Sequence, residues 1–173
     1  PPKAPTPMSV GDYLWIDANN DGQQGTDETA LQGATVTLLD KDGNPAKDLT
    51  GNVIAAVTTS ADGKYTFTNL PEGDYSISVK APEGYTPTEG GADVDDDASN
   101  VDSNCLAQND GSLKTALFTL TAGTEPTDDG DSDSNSNLSV DCGLVAPKTP
   151  AIVSVGGYLW VDANNDGQQS AEE

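Results

Sequence analysis

Apolar residues along this chain recur at every second position in short runs, not at the three-to-four spacing of a buried helix face. ATVTLLD (34–40), KYTFTNL (64–70) and DYSISVK (74–80) alternate most regularly, which is the period of a strand with one face in a core. NVIAAVTTS (52–60), LKTALFTLT (113–121) and LSVDCGLV (138–145) carry the same β-branched and aromatic enrichment, and SVGDYLWI (9–16) opens the series. The segments are separated by the turn signals DKDGN (40–44), ADGK (61–64), PEGD (71–74) and PEGY (82–85). The pattern predicts an all-β domain, an antiparallel two-sheet β-sandwich of about seven strands. Its expected core is Val10, Leu14, Ile16, Val36, Leu38, Tyr65, Phe67, Tyr75, Ile77, Val79, Phe118 and Leu120. That is a thin core for such a length, so staples beyond apolar burial are expected.

The strand pattern restarts near the end of the chain. SVGDYLWIDANNDGQQ (9–24) returns as SVGGYLWVDANNDGQQ (154–169), identical at fourteen of sixteen positions, and internal repetition of this kind marks a modular array. Pro-rich stretches precede both copies, with Pro at 1, 2, 5 and 7 and again at 147 and 150. Such segments favour extended polyproline conformation and act as semi-rigid spacers, with a flexible hinge as the other reading. The expected organisation is a linker over 1–8, a sandwich repeat over 9–145, a second linker over 146–153, and over 154–173 the first strand and loop of a further repeat. The chain opens on Pro and Lys with no signal peptide, and is read as a piece of a longer protein.

Charge narrows the partners. Against 29 acidic residues stand 7 basic ones, all Lys, for a net charge of −22. Binding phosphates requires clustered Lys and Arg, so nucleic acid and anionic membrane surfaces are unfavourable partners and neither is expected. No apolar run approaches the roughly 20 residues needed to span a bilayer. With no His, most zinc and general-base chemistry is excluded too. Carboxylates at this density repel one another unless a cation neutralises them.

One motif supplies a place for that cation. Residues 17–28, DANNDGQQGTDE, match the calcium-loop template DxNxDGxxxxxE. Asp17, Asn19 and Asp21 would offer side-chain oxygens, Gln23 its main-chain carbonyl and Glu28 both carboxylate oxygens, with Gly22 permitting the sharp turn. The template recurs at Asp162, Asn164, Asp166, Gln168 and Glu173. A strand leads into the loop where an EF-hand would have a helix, so the expected cofactor is a structural Ca2+ that does not switch the fold. A second acidic group, DVDDDASNVDSN (93–104), offers Asp95, Asp97, Asp102 and Asn104 as further hard-oxygen donors. A third, TDDGDSDSNSN (127–137), is read as a disordered acidic insertion, with a further ion site as the other reading. Cys105 and Cys142 are expected to form a disulfide, which suits an oxidising compartment, with two buried free thiols as the other reading.

SVGDYLWIDANNDGQQ, GATVTLLDKDGN and ADGKYTFTNLPEGDYSISVKAPEGYTP, followed by DSNC (102–105), LFTLTAG (117–123) and VDCGLV (140–145), resemble the B repeats of serine-aspartate-repeat bacterial surface adhesins. These belong to the wider collagen-adhesin B-type, transthyretin-like group, and the resemblance covers residues 8–145. It implies a prealbumin-like, immunoglobulin-like sandwich that binds several calcium ions and spaces a binding head away from the cell. The family's first calcium loop maps onto Asp17, Asn19, Asp21, Gln23 and Glu28, and its later acidic motif onto Asp102 and Asn104. Many members of the wider group carry a Lys–Asn isopeptide bond assisted by Glu. Here the first strand has no Lys and Val79 stands at the Glu position, so no such crosslink is expected.

The function expected from these readings is a calcium-stabilised stalk or spacer repeat of a cell-surface or secreted adhesin, extracellular and not an enzyme. Its partners would be neighbouring repeats of the same chain. The alternative is an adhesin module that itself binds a host or matrix protein or glycan, using the aromatic side chains of YLW (13–15). Recurrence of YLW at the repeat boundary argues instead for packing between units.

Overall fold

The computed structural model describes residues 4–88, 102–157, 159–163, 165 and 167–168. Among them are twelve strands and no helix: β1 (Met8–Ile16), β2 (Thr29–Ala30), β3 (Thr35–Asp40), β4 (Val57–Thr58), β5 (Lys64–Leu70), β6 (Gly73–Lys80), β7 (Thr86–Pro87), β8 (Cys105–Ala107), β9 (Leu113–Thr115), β10 (Phe118–Leu120), β11 (Ser136–Asn137) and β12 (Cys142–Val145).

The strands form two sheets. One runs β11-β1-β12-β7, with β5 and β2 also paired to β1; the other runs β4-β3-β6-β9-β8, with β10 also on β6. Pairing is antiparallel except around β1, which lies parallel to both β11 and β12, placing Leu14 opposite Cys142 and Ile16 opposite Leu144. The sandwich is therefore not purely antiparallel. Its first and last strands lie side by side and point the same way, a long-range pairing that local patterning does not encode.

The alternating runs became strands where they were expected, and two apolar runs broke up. LKTALFTLT divides into β9 and β10, both on β6. Across the interruption the Thr115 hydroxyl accepts the Ile77 N–H at 3.0 Å, filling a ladder position from a side chain. Of NVIAAVTTS only Val57–Thr58 is strand. β2, β7 and β8 were not foreseen, being two or three residues long, too short to show a period.

The core lies between the sheets. Of the twelve residues expected there, eleven are buried and Ile16 is half-buried beside them. Trp15 is fully buried as well, on the face of β1 opposite Leu14. It stacks with Tyr13, the ring planes 7° apart, and lies under Gly143, where an added Cβ would meet the indole at 2.7 Å. Trp15 is thus sealed within its own domain and is not available as a docking surface. Cys105 on β8 and Cys142 on β12 form a disulfide that joins one sheet to the other.

Residues 127–137 are folded against the sandwich, contrary to the reading of a disordered insertion. Ser9 N–H donates to the Asn135 carbonyl at 3.0 Å, β11 pairs with β1, and Glu125 and Asp129 nearby are buried. Their carboxylates accept main-chain N–H groups, Thr121 onto Glu125 at 2.6 Å and Leu138 onto Asp129 at 2.6 Å. Buried hydrogen bonds to charged acceptors outweigh the solvation that composition alone suggests.

Residues 154–161 repeat the sequence of β1 yet form no strand among the described residues. Val155 and Leu159, the counterparts of the buried Val10 and Leu14, are fully exposed.

Candidate metal centre

The loop over 17–28 begins where β1 ends. Asp17 N–H donates to the Leu144 carbonyl at 2.9 Å, pinning the loop to the last strand. The chain then turns sharply, with Asn20 at φ 60° and Gly22 at φ 78°, left-handed conformations that Asn and Gly adopt at least cost. Asp17 organises the turn: Oδ1 accepts Asn20 N–H at 2.5 Å, and Oδ2 accepts Gly22 N–H at 2.9 Å together with the Thr88 hydroxyl. Asn19 and Asp21 hold each other, Asn19 Nδ2 donating to Asp21 Oδ2 at 2.8 Å, while Asp21 Oδ1 accepts Gln23 N–H at 2.9 Å. Glu28 closes the circuit, with Oε1 accepting Ala18 N–H at 2.7 Å and Oε2 accepting Gly25 N–H at 2.9 Å.

The carboxylates of the loop are thus directed at its own main chain. Among the described residues no group of three or more Asp, Glu or Cys side chains converges on a point suited to a metal ion. The chemistry of the donor set nevertheless fits calcium: hard oxygens from Asp17, Asn19, Asp21, Gln23 and Glu28 on a preformed turn. Among the described residues no Lys pairs with Asp17, Asp21 or Glu28. Burial pushes the Asp17 carboxyl up, but hydrogen bonds from Thr88 and then from Gly22, Asn20 and Asp21 outweigh it and hold the group below its ordinary value. Asp17 is therefore an ionised carboxylate in a fully buried position.

The same turn forms in the second copy. Asp162 Oδ2 accepts Gly167 N–H at 2.8 Å, and Asn165 and Gly167 have φ of 61° and 74°. Gln168 is exposed, while Asn164, Asp166 and Glu173 lie outside the described residues.

Of the second acidic group, Asp95 and Asp97 also lie outside the described residues. Asp102 and Asn104 do meet the first loop. Gln23 and Asp102 form an antiparallel bridge, and Ser103 N–H donates to the Gly22 carbonyl at 3.0 Å. The far side of this turn grips the last strand. Ser103 Oγ accepts Gly143 N–H at 3.0 Å, Asn104 Oδ1 accepts Asp141 N–H at 2.8 Å, and Asn104 N–H donates to the Asp141 carbonyl at 2.9 Å. The loop, the 102–104 turn and the disulfide at Cys105 form one continuous connection between the sheets.

Two acids with strongly raised carboxyls, one buried and one half-buried, went unnoticed in the sequence. Asp141 is 1% exposed, and burial, with Asp12 and Asp102 adding repulsion, pushes its carboxyl up to about 9. Burial likewise pushes Asp12 up to about 7, against the attraction of Lys64 and with Asp129 adding to the rise. The signal for Asp12 was present: it falls on the same alternation as Val10 and Leu14, a core-facing position for a charged residue. Asp141 had none, because nothing local indicates that the start of the last strand is so deeply covered.

The first strand of this β-sandwich thus runs into an acidic loop that is locked to the last strand. The chain belongs to the SdrD B-like domain family, whose model matches residues 8–144. It is 36% identical over 167 residues to serine-aspartate repeat-containing protein D of Staphylococcus aureus (strain Newman), covering 95% of this chain and 10% of that protein. To serine-aspartate repeat-containing protein E of Staphylococcus aureus (strain USA300) it is 37% identical over 165 residues, covering 95% and 11%. The chain thus spans about a tenth of the length of these relatives. Among solved structures, the minor pilin GBS52 of Streptococcus agalactiae aligns with a TM-score of 0.46 at 14% identity, covering 87% of this chain and 49% of that one. The group B streptococcus pilus 2b backbone protein aligns at 0.43 and 23%, covering 80% and 40%.

Proposed function

We propose that this domain is a calcium-stabilised spacer repeat of a bacterial cell-surface protein, structural and not enzymatic, that holds a binding region away from the cell. The observation that carries the reading is the position of the 17–28 loop. Through Leu144, Thr88 and the 102–104 turn it is bonded to the last strand, to the strand before residue 89 and to the segment bearing the disulfide. An ion held by Asp17, Asn19, Asp21, Gln23 and Glu28 would neutralise the loop's charge and stiffen the junction between first and last strands. Asp102 and Asn104, on the turn bridged to Gln23, would offer further oxygens; Asp95 and Asp97 are donors by sequence alone. The tandem loop at 162–173, with Asp162, Asn164, Asp166, Gln168 and Glu173 as its donors, and the Pro-rich segment between the copies support an array whose partners are its own neighbouring repeats. Family membership supports a location at the cell surface. Among the described residues no helix is long and apolar enough to cross a membrane.

With a micromolar site at roughly millimolar calcium, binding would add about 4 kcal/mol to folding. Melting of the chain in calcium and in excess EDTA tests this. The expected result is a fall on the order of 10 °C on chelation; an unchanged melting temperature would refute the calcium role.

A further inference from the structure

We propose that residues 154–161 are an exchangeable first strand through which two copies of this chain associate, the segment of each taking the place of β1 in the other's sandwich. The slot that β1 fills makes specific demands. Its main-chain partners come from β2, β5, β11 and β12. Met8, Val10 and Leu14 are buried in it, and Trp15 lies under Gly143. At Gly11 an added Cβ would meet the Tyr65 carbonyl at 2.3 Å, so only glycine fits. The second copy meets each demand in register. Val155, Leu159 and Trp160 repeat Val10, Leu14 and Trp15, Gly156 repeats Gly11, and Val153 stands for Met8. The turn that follows is already formed. Yet the segment forms no strand among the described residues, and Val153, Val155 and Leu159 are exposed. A strand sequence without neighbours is a template for pairing with another chain.

Exchanging an identical element between protomers is a low-cost route to a dimer, because every contact it needs exists in the monomer. The displaced β1 takes the exposed place of the segment that replaces it, so the residues that differ set the direction. Gly157 stands for Asp12 and Val161 for Ile16. Asp12 has φ 158°, a conformation that glycine reaches more easily than any residue with a Cβ. Its carboxyl is half-buried, and burial pushes it up to about 7, so the charged form is disfavoured there. Gly157 carries neither burden. Val161 gives up one methylene at a position that Ile16 only half buries. The incoming strand thus fits the slot better than the resident one. The chain's own slot is out of reach. β12 ends at Val145 and runs parallel to β1, so the segment would have to return to the start of the slot through the seven residues 146–152. Parallel neighbours need a crossover of about a dozen residues or more. The slot of a second copy sets no such limit. No ion is required at either loop, so the exchange stands apart from the calcium reading.

The test is the mass of the full 173-residue chain after refolding from urea over a wide range of concentrations, by size exclusion with light scattering. The expected result is a species of twice the chain mass whose share rises with concentration and which separates only slowly on dilution. Leu159→Asp, which cannot enter the core, should remove it. Asp12→Gly makes the resident strand the equal of the incoming one and should lower the share of dimer, although it also lowers the charge that keeps chains apart. In the dimer of Trp15→Phe, emission from Trp160 should move to shorter wavelength as the indole enters the slot. Near-UV circular dichroism reports whether Trp15→Phe is folded; if it is not, Asp12→Gly decides. A chain that stays monomeric after refolding at high concentration would overturn the exchange. So would a dimer whose share Asp12→Gly leaves unchanged or raises, since simple adhesion of exposed apolar segments responds to charge and not to which strand fills the slot. Trp160 emission at the same wavelength in dimer and monomer would overturn it as well.

Discussion

The Thr88 hydroxyl donates to Asp17 Oδ2 across 71 positions of sequence, coupling the end of one strand to the start of the acidic loop. Both residues are buried, so the bond is shielded from water and cannot be exchanged for a solvent contact. Thr88→Val preserves the shape but leaves Asp17 with one donor fewer. It should destabilise the domain by about 1–3 kcal/mol, read by urea unfolding in EDTA, where calcium cannot mask the loss. An unchanged midpoint would mean that the loop is not held by this contact.

Gly143 has no room for a side chain. An added Cβ would meet two indole atoms of Trp15 at 2.7 and 2.9 Å, and Trp15 is enclosed on its other sides. Gly143→Ala should therefore cost about 1–3 kcal/mol through displacement of the ring. Denaturant unfolding gives the loss, and Trp fluorescence should shift as the indole moves toward water.

Reducing Cys105–Cys142 opens a loop spanning 37 positions that joins the two sheets. In the chain-entropy account this removes about 4 kcal/mol. The Cys105→Ala/Cys142→Ala double variant should melt well below the oxidised parent and be indifferent to reductant, while the parent should become sensitive to it. Equal melting temperatures would show that the bond adds nothing to the sandwich.

Stability in the absence of calcium should fall as pH rises from about 4 toward 9. Asp12 and Asp141 ionise at about 7 and about 9 in the folded domain, against an ordinary value of 3.8. The native state thus keeps protons that the unfolded chain has lost, and each pH increment in that window favours unfolding. Below about 4 the slope reverses. Asp17, its carboxyl held low by hydrogen bonds despite burial, contributes stability that is lost as pH falls through its folded pKa. Thermal melts across pH in EDTA check the sign, and Asp141→Asn should flatten the alkaline limb.

Much of the architecture was legible in the pattern of residues. The runs at 34–40, 64–70 and 74–80 became β3, β5 and β6 because their alternation matches a half-buried strand, and the core followed from the same parity. The acidic loop was legible because its spacing encodes a turn. The short β7 and β8, the ordering of 127–137 and the burial of Asp141 were not, since each depends on what is packed above it.

The two copies of one sequence separate local from tertiary causes. Asn20 and Gly22 take left-handed backbone in the first copy, and Asn165 and Gly167 take it in the second; Asp17 and Asp162 accept the matching Gly N–H groups at 2.9 and 2.8 Å. That turn is written in a few neighbouring residues, whose side chains bond to their own main chain. The strand before it is not. SVGDYLWI is strand because β5, β11 and β12 supply its hydrogen bonds and cover its apolar face, whereas SVGGYLWV, with no such partners within these residues, leaves Val155 and Leu159 in water. A turn can satisfy its own polar groups locally; a strand must have its main chain completed by other segments, and only the tertiary structure brings them.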